Sequence, residues 1–266
     1  MEEKLVFTNM NTITNPLTLQ LVVGILIGLG AGYLGSFMIL KRMSLVGDVI
    51  SHVALPGIAL AIIYKFDPFL GAFATLFLAV IGIWLLERKT EIPSETLVGI
   101  FFALSLALGI LITPEPELLE ALFGDITQIQ FSDAIITITL TMLMFLIMFK
   151  IHKGLTLSVI SKELAQSMGI PVSKISLLFL LMVAVVVSLG LKITGTLLMG
   201  ALVIVPAAAA KNISINLKQY TLIAGFLGGL SSLGGILFAN YFGLHPGPIV
   251  VLTSGVVFLV TLIFKK

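Results

Sequence analysis

The sequence predicts an all-α, polytopic transmembrane helical bundle of eight to nine spans. Three observations carry that prediction. Mean hydropathy is +1.18, and of the 266 residues 58% are hydrophobic and 11% charged, against roughly 25% charged in an ordinary soluble domain. The apolar residues gather in runs of about 20, the length at which a helix crosses a hydrocarbon core. No run alternates residue by residue as the strands of a membrane barrel do.

The runs fall at residues 17–40, 44–64, 68–86, 95–112, 131–149, 175–191, 193–210, 219–240 and 248–264. The sixth and seventh are short and separated only by Lys192, Ile193 and Thr194, so one of them reads as a half-helix or re-entrant piece. The start, MEEKLVFTNMNTITNPL, is acidic and polar where a cleaved signal peptide is basic, so the first span is expected to be retained. Residues 1–266 read as a single transmembrane domain.

Lys and Arg accumulate on the cytoplasmic side of membrane proteins. If the long 150–174 connection is cytoplasmic, that side holds Lys41, Arg42, Arg88, Lys89, Lys150, Lys153, Lys162, Lys174, Lys211, Lys218, Lys265 and Lys266, while Lys4, Lys65 and Lys192 lie opposite. The split predicts an outside N-terminus and a cytoplasmic C-terminus in the cell membrane.

The first span carries Gly24, Gly28 and Gly32 at four-residue spacing, and the eighth repeats the pattern with Gly225, Gly229, Ser231 and Gly235. Small-residue faces of this kind let helices approach closely. They serve packing within one bundle or a seam between two copies.

The second span is the exceptional one. Ser44, Asp48, Ser51 and His52 recur at helical spacing as a polar stripe, with Asp48 and His52 one turn apart on one face. A charged side chain at a bilayer centre costs from about 3 kcal/mol upward, so such groups face a bundle interior or a water-filled path and mark function. Pro56 has no N–H for the His52 carbonyl, so a kink is expected there. Carboxylate, imidazole and a freed carbonyl together suit a first-row divalent cation such as Mn²⁺ or Zn²⁺. The competing reading is a hydrogen-bonded Asp/His pair that fixes helix packing.

The outer connection from 113 to 131 holds Glu115, Glu117, Glu120 and Asp125, an acidic mouth or a solvated loop. In the 150–174 connection Ser161 is placed to cap a helix, Ile160, Leu164 and Met168 recur every four residues, and Gly169 and Pro171 supply a stop. The outcome is a short amphipathic helix outside the membrane, resting on lipid or inserted in a groove of another protein. His152 reads as an interfacial residue and His245, before Pro246, as a turn residue.

Several classes are excluded. With no cysteine there is neither disulfide nor thiolate metal site. No G-x-x-x-x-G-K-[ST] loop, H-E-x-x-H helix or G-x-S-x-G turn is present, so the chain is not expected to be an enzyme, and any ATP hydrolysis belongs to another chain. A net charge of +2 without basic clusters argues against nucleic acid.

KRMSLVGDVISHVALPGIAL, ELAQSMGIPVSKIS, TGTLLMGALVIVPAAAA and YFGLHPGPIVVLTSG, in that order, resemble segments of the membrane permeases of manganese/zinc/iron-type ABC importers. The resemblance covers nearly the whole chain. It implies a homodimeric permease with a central pathway for transported Mn²⁺ or Zn²⁺ and no bound cofactor. Its partners would be two cytoplasmic ATPase subunits, an extracellular or periplasmic metal-binding protein and the surrounding lipid. Asp48 and His52 are then the metal contacts. Glu163, Leu164, Ala165 and Gly169 belong to an ATPase-coupling segment at about 153–171. Ser161 stands where the family commonly has an acidic residue, and His245 where it often has proline. The alternative from another class is a secondary transporter or channel in which Asp48 and His52 form a proton relay.

Overall fold

The computed structural model describes residues 16–44, 46–90, 92–113, 124 and 129–264. Among these the regular structure is entirely helical: α1 Pro16–Leu40, α2 Val46–Val53, α3 Leu55–Tyr64, α4 Pro68–Lys89, α5 Ser94–Ile112, α6 Phe131–Ile160, α7 Lys162–Ser167, α8 Val172–Ile213, α9 Leu217–Phe242 and α10 Pro246–Ile263. Eight segments are long and apolar enough to cross a membrane, with α2 and α3 together making one and Val172–Leu191 of α8 another. The apolar helix Leu198–Ile213 is shorter than these eight. It is the seventh apolar run of the sequence, one of the two whose length looked insufficient.

Glycine and proline chemistry sets the boundaries. Asp67 caps α4 by accepting from the Phe69 N–H at 2.7 Å, and Pro68 starts the helix where no N–H is needed. Asn216 caps α9 in the same way through the Gln219 N–H. The second span breaks at Ala54, two residues before Pro56, because proline has no N–H to return to the preceding turn. The break in α8 is sharper. Gly195 has φ 67° and ψ −178°, a backbone conformation essentially restricted to glycine.

The two glycine faces read from the sequence meet each other inside one chain. α1 makes its most extensive contact with α9. A Cβ on Gly32 would strike the Ala224 carbonyl, and one on Gly228 the Gly28 carbonyl, so the backbones touch directly. Around that seam Phe37, Phe179, Met144, Met148 and Leu155 are fully buried between α1, α6 and α8. His152 joins this packing, half-buried and edge-on to Phe37 at 5.5 Å, rather than sitting free at the interface.

The sequence suggests that the fifth apolar run ends near 149, with a separate connection after it. Instead α6 continues unbroken to Ile160, about 45 Å at 1.5 Å per residue. No glycine or proline before Ser161 is placed to stop it, and Gly154 packs against Ile175 of α8.

Candidate functional site

Asp48 and His52 sit on α2, a helix of only two turns whose apolar residues Val46, Ile50 and Val53 are buried. The carboxylate falls in the first turn and the imidazole in the last, the order that suits the helix dipole. His52 is 9% exposed and Asp48 half-buried.

The imidazole is held on three sides. Its Nδ1 lies 3.0 Å from the Asp48 carbonyl oxygen and 3.4 Å from Ser51 Oγ, and its face-to-edge neighbour is Phe102 of α5 at 5.4 Å and 90°. A carbonyl oxygen only accepts, so Nδ1 carries the proton and Nε2 keeps its lone pair. The Asp48 carboxylate accepts no hydrogen bond from any described residue. A carboxylate partly withdrawn from water with no donor beside it lacks its normal compensation. The pair therefore sets an imidazole, anchored through Nδ1, and a carboxylate one turn apart, an O/N donor set for a divalent cation.

The helix that follows the Gly195 break completes the setting. Ser51 Oγ lies 2.6 Å from the Thr196 carbonyl oxygen. A Cβ on Gly200 would lie 2.6 Å from Asp48 Oδ1, so α2 rests directly on the Gly200 backbone. Thr196, Gly200 and Phe102 are site residues that sequence reasoning missed. The only signals were the awkward junction at 192–194 and the glycines of TGTLLMGALVIVPAAAA. From the outer connection Gly124, at φ 67°, packs against the Gly195 nitrogen and the Leu191 carbonyl. The acidic residues Glu115, Glu117, Glu120 and Asp125 lie outside the described residues.

Among the described residues no third His, Cys, Asp or Glu joins the pair. The described residues of one chain thus offer two such ligands.

The predicted amphipathic segment is α7, packed on α6 and α8. Ser161 caps it, accepting from the Leu164 N–H at 3.1 Å. The far end closes through Ile170 N–H to the Ala165 carbonyl and Gly169 N–H to the Gln166 carbonyl, with Gly169 at φ 75°, a left-handed glycine cap. Ala165 faces inward and is fully buried, while Leu164 is 49% exposed, Met168 61% and Ile160 71%. Glu163 is exposed, and its own backbone N–H and the Ser161 hydroxyl hold its carboxyl below the usual carboxylate range. Beside α7 lies a cavity of about 630 Å³ whose lining includes Lys41, Arg88, Lys162 and Glu87. Basic residues assigned to one side by the charge count thus gather at one end of the bundle. His245, at the start of α10, is exposed and makes no capping hydrogen bond.

Fold and site together define a multi-spanning helical membrane protein with a polar pair at a broken helix. Residues 14–265 match the family model for the ABC 3 transport family, and the chain belongs to that family. It is 36% identical over 245 residues to the manganese import system permease protein ScaB of Streptococcus gordonii, covering 91% of this chain and 88% of that one. It is 31% identical over 252 residues to the high-affinity zinc uptake system membrane protein ZnuB of Haemophilus influenzae, covering 92% and 96%. Among solved structures, PsaBC from Streptococcus pneumoniae in complex with Fab superposes with a TM-score of 0.82 at 32% identity, over 96% of this chain and 95% of the other. The resemblance carried by the four sequence segments is thereby established.

Proposed function

We propose that this chain is the membrane permease of an ATP-driven importer of a divalent transition metal, Mn²⁺ or Zn²⁺, and that two copies form the ion pathway. Family membership and relatives named for manganese import and zinc uptake support the transport class. The observation that carries the pathway is the α2 pair, in which the Asp48 carboxylate and the His52 imidazole, held through Nδ1, stand one turn apart. Two ligands are too few for a first-row cation that takes four or more. A second copy related by a twofold axis supplies Asp48 and His52 again, completing four without a permanent cage. Weak, shared coordination lets the ion leave as well as enter.

The chain carries no phosphate loop, so ATP hydrolysis belongs to separate cytoplasmic subunits. α7 is the docking element for them: Ala165 anchors it, the Ile160, Leu164 and Met168 side chains are offered outward, and Glu163 adds a charge. The basic end of the bundle, α7 and the C-terminus then face the cytoplasm, and the opposite end receives metal from an extracellular or periplasmic binding protein.

Uptake into vesicles tests the class. Metal accumulation is expected only with the ATPase subunits and ATP present; accumulation driven by a proton gradient in their absence would establish the relay transporter instead. Coupling has its own test. Glu163→Lys, and Gly169→Val, which forces a branched residue into a left-handed cap, are each expected to leave the bundle folded and its ATPases bound weakly. The expected drop in ATP-dependent uptake is about tenfold. Unchanged ATPase binding in both variants would remove α7 from the docking role.

A further inference from the structure

Ser51 has no role in the reading above, yet it is the best-connected side chain at the site. It is fully buried. Its hydroxyl oxygen lies 2.6 Å from the Asp48 carbonyl, 2.6 Å from the Thr196 carbonyl and 3.4 Å from His52 Nδ1. A serine has one proton to give, so the two carbonyls compete for it. The Asp48 carbonyl already accepts from His52 Nδ1 at 3.0 Å, and inside α2 it also faces the helical N–H one turn on. Among the described residues Ser51 is the one side chain that donates to the Thr196 carbonyl, in the helical segment that opens after the non-helical Gly195. Donation to Thr196 therefore serves the carbonyl with fewer side-chain donors and leaves the Ser51 lone pairs turned toward Nδ1–H. The hydroxyl joins two elements: the helix break on one side and the imidazole on the other.

We propose that Ser51 is a positioning residue for metal transfer, whose hydroxyl ties His52 to the Gly195 break and fixes the ring so that Nε2, not Nδ1, meets the ion. The proposal rests on the reading of Asp48 and His52 as ion contacts. Groups behind a metal ligand are commonly worth 10- to 100-fold in affinity because they set tautomer and orientation. The break supplies a matched support, since Thr196 holds the Ser51–His52 turn and Gly200, four residues on, holds Asp48. Gly124 also packs against the break, at the Gly195 nitrogen, so a displacement there reaches the imidazole through the Ser51 hydroxyl and its two contacts.

The test uses the full transporter in sealed proteoliposomes. Ser51→Ala is expected to raise the Mn²⁺ concentration for half-maximal ATP-dependent uptake about tenfold, with maximal rate and melting temperature close to the parent chain. Ser51→Thr, which keeps the hydroxyl, is expected to restore it. Solid-state ¹⁵N spectra of the unsubstituted chain, assigned by difference from His52→Ala, are expected to show Nδ1 protonated and Nε2 bare. Parent-like half-saturation in Ser51→Ala, equal impairment in Ser51→Ala and Ser51→Thr, or a proton on Nε2 in the unsubstituted chain each overturns the proposal. The spectrum decides even if Ser51→Ala fails to fold. His52→Ala separates the two levels: if it transports normally, the ion-contact reading itself is wrong; if it is dead while Ser51→Ala is unaffected, only the Ser51 role falls.

Discussion

Replacing His52 with alanine, or Asp48 with asparagine, is expected to lower metal uptake by the assembled transporter roughly 100-fold or more, at undiminished abundance in the membrane. The estimate takes the upper end of what partners behind a ligand are worth, because here the ligand itself is removed. The two substitutions fail for different reasons. His52→Ala deletes the only ring nitrogen at the site and opens space beside Phe102, whereas Asp48→Asn keeps size and shape and removes the charge that offsets a dication. Removing a packing pair would predict the reverse pattern, with lost stability and retained uptake. Vesicle uptake scored beside thermal melting distinguishes these outcomes, and parent-like uptake in both variants would eliminate the pathway role.

Gly200→Ala is expected to be nearly as severe although it changes no ligand. The added methyl group would lie 2.6 Å from Asp48 Oδ1 and as close to the Asp48 backbone, so either α2 or the helix after the break must move. Overpacking of this kind costs about 1–3 kcal/mol, and the displacement acts directly on the carboxylate. The expected result is a lower melting temperature with uptake lost. Gly255→Ala is the control, since a Cβ there meets nothing within 4 Å, and uptake is expected to be unchanged. If Gly200→Ala also transports normally, the close approach of α2 to Gly200 has no bearing on function.

The sequence was most legible where hydrophobicity and charge speak alone. Among the described residues eight of the apolar runs became full spans, and of the polar stripe Asp48, Ser51 and His52 share one short helix, α2, as their spacing predicts. Caps were legible as well: Ser161 and Gly169 bracket α7 as their chemistry requires. Two features were not. The fate of the short runs around Gly195 depended on a glycine with positive φ, and a lone glycine in an apolar run does not announce whether it packs, kinks or breaks a helix. The supports at Thr196, Gly200 and Phe102 lie 50 to 150 residues from the pair in the chain, so no local periodicity could join them to it. The extension of α6 past the membrane was hidden because charge at Lys150, His152 and Lys153 marks the edge of the lipid, not the end of a helix.

That extension determines where deformation can occur. A rod of 30 residues with its foot beside α7 and its head at Gln130 has no joint of its own, so a push delivered at the foot arrives at the far end as translation or tilt. Compliance must then be found elsewhere in the bundle, and the interruptions at Ala54 and Gly195 flank the Asp48 and His52 pair. Under the proposed function, stiffness in one helix thus directs movement to the Asp48 and His52 pair, and work done on α7 by a docked ATPase would be delivered there.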